Sequence, residues 1–248
     1  MGIRISRQNM AWLRHFCALA GLALAIVSCS YRGAELDNPI VRSISWFSYA
    51  GGDDLREACG PGASDRIRLI YNAMWDGYQI AAPSQVRTYD IVALPGGQGA
   101  QMTTRIFGEA NTLTLSLSDP FADLRGVKTE TTLSPAEYAE LKRALIESRF
   151  LEPPPFGLRL PSNRYWWLAL GCVDGRFHQN GWPYPSERFS RIRFADLVLR
   201  LDKTGAPLSP PQEPERFPPV RSASGPFGGV PAREPSFILQ IGSDRLLN

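Results

Sequence analysis

The sequence predicts an α+β domain: an antiparallel sheet of five to seven strands with two main helices packed on one face. Three observations lead there. Stretches of two-residue alternation recur between turns rich in glycine and proline. A capping box at Ser134 opens an amphipathic helix. Asp174-Gly175 stands between two apolar runs, the strongest short hairpin signal in the chain.

Residues 43–49 hold Ile44, Trp46, Phe47 and Tyr49 and form the first packed element. Asp53 is placed to cap a short helix with acids in its first turn, ended by Cys59-Gly60-Pro61-Gly62. Over 65–71 the residues alternate, Ile67, Leu69 and Tyr71 against Arg66, Arg68 and Ile70. That is the period of a strand with one buried face. Residues 85–94 and 101–107 form the second and third strands, joined through Gly96-Gly97-Gln98-Gly99. This glycine cluster lacks the Lys-Ser/Thr ending of a phosphate loop. In 112–118, Leu113, Leu115 and Leu117 alternate with Thr112, Thr114 and Ser116, a fourth strand; 127–132 is a fifth.

Ser134 and Glu137 make the capping box, with Pro135 at the first helical position. Tyr138, Leu141 and Leu145 then share one face of a helix over 135–148, stopped by Phe150 and Pro153-Pro154-Pro155. Residues 164–172 and 176–182 make the hairpin. A two-residue loop pairs Val173 with Arg176, Cys172 with Phe177 and Gly171 with His178. Trp166, Leu168, Leu170, Cys172 and Phe177 then form the core face. The opposite face carries Tyr165, Trp167, Ala169, Gly171, Arg176, His178, Asn180 and Trp182. Gly171 and Ala169 leave room beside His178, so Trp167, His178 and Trp182 are the candidate binding surface. Ser186 caps a last helix over 187–201 with Phe189, Ile192 and Leu199 inward. Nine prolines between 207 and 235 make 206–235 a loop or linker. Residues 236–242 return as a strand, in a tail that runs to 248.

The front of the chain has a different character. Arg4, Arg7 and Arg14 precede an apolar run over 16–27, the marks of an export signal. The run is shorter than the roughly 20 residues that span a bilayer core. It ends in Ile26-Val27-Ser28-Cys29, which resembles the lipobox of bacterial lipoproteins. The resemblance implies that 1–28 is a removed signal peptide and that Cys29 carries the lipid, palmitate among its acyl chains. Residues 29–42 are then a tether and 43–205 the folded domain. Ser30 is not the aspartate associated with inner-membrane retention, so the resemblance implies the periplasmic face of the outer membrane, with the inner membrane as the alternative. From Thr131 onward the order is capped helix, aromatic stop, Trp-bearing hairpin, Trp-Pro and helix. This resembles the carboxy-terminal half of envelope lipoproteins of unknown function and implies no activity.

The formal charge of +3 includes three arginines and no acid in the first 28 residues, so the remainder is neutral. Nucleic acid is therefore not an expected partner. Of the four cysteines, Cys17 leaves with the signal and Cys29 takes the lipid. Cys59 and Cys172 remain, and in an oxidising compartment they are expected to pair; two buried free thiols are the alternative. Two distant cysteines and one remaining histidine do not make a zinc site, and no metal or cofactor is expected.

No residue is assigned a catalytic role. His178 is the histidine that any Ser-His-Asp or Cys-His mechanism in the mature chain requires, but no Gly-x-Ser-x-Gly elbow accompanies it. Arg66, Arg68 and Arg87 read as a solvated outward stripe. Asp53, Asp54 and Glu57 read as helix-start acids and not as a glycosidase pair. Three classes of function follow. The first is a non-enzymatic envelope lipoprotein that binds an envelope protein or other component and touches the membrane through its lipid. The second is a periplasmic hydrolase using His178, and the third an inhibitor or immunity-type lipoprotein.

Overall fold

The computed structural model describes residues 31, 33, 36, 38–75, 85–108, 126–212, 235, 237–242 and 246–247. The signal segment, Cys29, the expected strand over 112–118 and most of the proline-rich stretch lie outside them. Helices α1 (Pro39–Gly51) and α2 (Asp53–Glu57) come first, followed by β1 (Arg66–Ala73), β2 (Gln85–Ala93) and β3 (Ala100–Phe107). Next are β4 (Val127–Leu133), α3 (Pro135–Glu147) and β5 (Leu158–Pro161). The hairpin β6 (Tyr165–Val173) and β7 (Arg176–Pro183), then α4 (Glu187–Ser190) and α5 (Ala195–Leu201), complete the main body. Strands β8 (Ile238–Ile241) and β9 (Leu246–Leu247) close the chain.

Six antiparallel strands form the main sheet in the order β4-β3-β2-β1-β6-β7, and β5-β8-β9 form a second sheet. This is the expected α+β architecture. The hairpin register is the one its two-residue loop requires, with Val173 opposite Arg176 and Gly171 opposite His178. Helix α3 carries its capping box: the Ser134 Oγ accepts from the Glu137 N–H, and the Glu137 carboxylate accepts from the Ser134 N–H.

Both faces of the main sheet are buried. On one face Leu69, Tyr71, Tyr89, Trp167 and Trp182 pack against Leu141 and Leu145 of α3 and against Phe194, Leu197 and Val198 around α5. On the other, Ile70, Trp166, Leu168 and Leu170 pack against Tyr49, Ala50 and Leu55 of α1 and α2 and against Leu160, Leu239 and Ile241 of the second sheet. Strand β6, Tyr-Trp-Trp-Leu-Ala-Leu-Gly-Cys-Val, is buried at every position. A continuous apolar strand is what burial on two faces demands, so its hairpin has no solvent face to spare.

Several expectations change in detail. Gly52, in the left-handed region, precedes α2, so Asp53 is its first residue and not its cap. The expected tether is docked: Tyr31 and Leu36 are buried, and α1 begins already at Pro39. The expected helix over 187–201 breaks between α4 and α5, where Arg193 N–H donates to the Ser148 Oγ. The break lets Phe194, Leu197, Val198 and Leu201 form one buried stripe, leaving Leu199 half-exposed. Strand β5, which follows Pro153-Pro154-Pro155 and ends at Pro161, is too short for its alternation to stand out. The second sheet lies so close to β7 that a Cβ at Gly181 would meet Ile241 Cδ1 at 2.6 Å.

Candidate functional site

The chemistry-bearing residues gather in two buried charge clusters, one on each face of the main sheet. On the α1 face, Arg68 is only 1% exposed. Its Nε donates to Asp90 at 2.7 Å, and its terminal nitrogens donate to both Asp54 oxygens at 2.9 Å and to the Tyr49 carbonyl at 2.7 Å. Arg66 adds a contact to Asp54 at 3.7 Å, and Arg105 donates to Asp90 at 3.1 Å. The Tyr49 hydroxyl donates to Asp90 as well, with its ring 3.7 Å from the Arg68 guanidinium. Burial alone disfavours the Arg68 charge, yet Asp90, Tyr49 and Asp54 more than offset it and raise its pKa. Burial, with Asp90 beside it, pushes the Tyr49 hydroxyl well up, so it stays neutral.

A recess of about 120 Å3 opens over this cluster, lined among others by Tyr31, Arg66, Arg68, Asp90, Thr103 and Arg105. Its arginines are tied to carboxylates, and Asp54 and Asp90 are each shared between two arginines. That arrangement fixes α1 and α2 to β1 and β2.

On the opposite face, Arg87 donates to Asp202 at 2.7 Å, to Gln85 Oε1 at 2.8 Å and to the carbonyls of Ala206 and Pro207. Tyr89 donates to Asp202, and Tyr71 to the Ser209 carbonyl. The start of the proline-rich segment is therefore held along the sheet and is not a free linker. Burial raises the pKa of both tyrosines beyond the range in which they titrate in water.

The residues singled out from sequence fall elsewhere. Cys59 and Cys172 form a disulfide with Cα atoms 5.4 Å apart, tying the end of α2 to β6. Trp167 and Trp182 are 2% and 1% exposed and belong to the core, so they are no binding surface. Their rings frame Phe194 at 5.3 and 5.1 Å. Nor is there room beside Gly171, where a Cβ would meet the Arg66 carbonyl at 2.6 Å. His178 is half-buried, 6.0 Å from the Phe150 ring. Burial lowers its pKa, a hydrogen bond with the Leu151 backbone opposes this, and Arg176 adds to the lowering. Arg68 and Arg87 are buried ion-pair centres and not a solvated stripe. Asp54 is confirmed as a helix-start acid, with Arg68 as its partner.

Asp90 and Asp202 are the residues that sequence reading missed. The available signal was Arg68 inside β1 and Arg87 inside β2, each of which demands an opposite charge once both faces are covered. Among the described residues, no group of three His, Cys, Asp or Glu side chains is placed to hold a metal ion. No helix among them is long and apolar enough to cross a membrane. No family model and no curated protein matches the chain.

Proposed function

We propose that the protein is a lipid-anchored component of the bacterial cell envelope that binds an envelope partner and does not transform it. The observation that carries this reading is the Ile26-Val27-Ser28-Cys29 ending of the apolar run, behind its arginine-bearing start. The Cys59–Cys172 bond supports export, because such bonds persist in oxidising compartments. Ser30 after the cysteine favours the outer membrane, with the domain on the periplasmic side.

The test is the fate of Cys29. Mass analysis of the mature amino-terminal peptide should find Cys29 first in the chain and carrying acyl groups. Cys29→Ala should leave an unprocessed or soluble form on membrane fractionation. An unmodified Cys29 in the mature protein overturns the reading. Crosslinking in cells then identifies the partner.

A further inference from the structure

We propose that the outer side of α1, which carries Ile44 and Phe47, rests in the headgroup region of the membrane that holds the Cys29 lipid. This rests on the lipoprotein reading above and adds an orientation to it. Helix α1 carries large apolar residues on both sides. Ser45, Tyr49 and Ala50 are buried against the sheet, while Ile44 and Phe47 remain 53% and 39% exposed. The water-facing side of a surface helix is ordinarily polar. Here it presents two large apolar groups, one of them resting edge-on against Phe237 with ring centroids 5.4 Å apart. Arg42 is the one charged residue of the helix.

What covers this side follows from where the preceding chain runs. The Tyr31 N–H donates to the Ser48 Oγ at 2.9 Å, and the Tyr31 ring packs edge-on against Tyr49 with centroids 4.9 Å apart. Ser48 follows Ile44 by four residues, and Phe47 follows it by three, spacings at which each is a neighbour of Ile44 on the helix surface. The chain therefore meets α1 where its buried side, at Tyr49, borders its exposed side, at Ser48 and Ile44. Cys29 precedes Tyr31 by two residues, a reach of about 7 Å at full extension. A lipid on Cys29 thus enters the bilayer within a turn or two of the exposed pair. Two partly exposed side chains bind membranes only marginally alone, but beside a covalent lipid they suffice to set which way an anchored domain faces. Helix α3, on the opposite face of the sheet, then points away from the bilayer with its own exposed apolar residue, Ile146, 52% exposed.

The experiment uses the full mature chain from Cys29, purified without lipid. With Cys59 and Cys172 paired, Cys29 is its free thiol. Coupling Cys29 to a maleimide phospholipid in vesicles of phosphatidylethanolamine and phosphatidylglycerol anchors the chain whether or not cells lipidate that residue. A photoreactive p-benzoylphenylalanine replaces Ile44, Phe47 or Ile146 in turn. On illumination, mass analysis should find phospholipid adducts from positions 44 and 47 and none from 146. Adducts absent at 44 and 47, or equal at all three positions, overturn the proposal. So does a protein adduct in place of a lipid one when the first two positions are illuminated in intact cells. An unmodified Cys29 in cells would overturn the lipoprotein reading and this orientation with it, whereas a lipid-bearing Cys29 without adducts at 44 and 47 would overturn the orientation alone.

Discussion

Arg68 and Arg87 are buried to the same degree in neighbouring strands, yet their surroundings differ in kind. Arg68 is met by two carboxylates and one backbone carbonyl, and it ties helices that precede the sheet in sequence. Arg87 is met by one carboxylate, a side-chain amide and two backbone carbonyls, and it ties a helix end and a loop that follow the sheet. An arginine facing acids holds structured elements through their side chains. An arginine facing carbonyls can seat a proline-rich segment whose backbone has no ladder of its own. One residue type thus closes the two faces by different means.

The largest expected effect breaks that symmetry. Arg68→Met takes the buried partner from two carboxylates, leaving Asp54 with Arg66 at 3.7 Å and Asp90 with Arg105 and Tyr49, and should lower stability by about 3–5 kcal/mol. Arg87→Met strands one and should cost less, read from urea midpoints of the two variants. Adding Asp54→Leu and Asp90→Leu to Arg68→Met should recover part of the loss, because replacing both carboxylates together with their shared arginine is tolerated better than removing the arginine alone. Equal losses for the two arginines would show that the count of acids is not what distinguishes them.

The disulfide sharpens the same contrast. It lies on the Arg68 face and closes a loop of 113 residues in sequence separation. Cys59→Ala with Cys172→Ala should lower stability by about 2–4 kcal/mol. Because Cys59 follows α2 directly and α2 carries Asp54, the cost of Arg68→Met should shrink in that background, while the cost of Arg87→Met should not. A double-mutant cycle in urea reads both couplings.

How much of this was legible follows from the range of each signal. The Ser134 capping box, the Asp174-Gly175 register and the alternation of β1 are local, and each stands where sequence placed it. Alternation assigns residues to faces, however, and does not say what covers a face. Asp54 lies 14 residues from Arg68, and Asp202 lies 115 from Arg87, so no window in the sequence contains the second pair. Trp167 and Trp182 were placed on the correct face, but that face was taken as open when α3 and α5 cover it. The break before Phe194 was invisible because Phe189, Ile192 and Leu199 also fit a helical stripe.

A smaller effect is expected from the tail on the Arg87 face. Deleting residues 206–232 removes the carbonyls that accept from Arg87, Gln85 and Tyr71. For a free linker this loss would be slight. With buried donors left unsatisfied, the cost should be about 2 kcal/mol, and much of it should vanish when Arg87 is already Met. Thermal midpoints of the four chains decide it, and an unchanged midpoint after the deletion would mean water replaces the carbonyls.

The smallest effect belongs to His178, and it separates a packing role from a chemical one. Burial holds its pKa below the ordinary 6.5, so the folded chain takes up the proton less readily than the unfolded chain. Above about pH 7 both states are neutral at this residue and its contribution is complete. As pH falls through the ordinary value, the unfolded state binds the proton first, and stability declines until the folded pKa has been passed. The ring is half-exposed, so screening should keep the decline below about 1 kcal/mol. His178→Gln should therefore flatten the slope of stability between about pH 7 and 5, with little change above that range, measured as urea midpoints against pH. An unchanged slope would place the titration on another group. Loss of a measured turnover in the same variant would instead give this histidine a chemical task, and with it revive the hydrolase class that its present neighbours, Phe150, Arg176 and Asp174, give no reason to prefer.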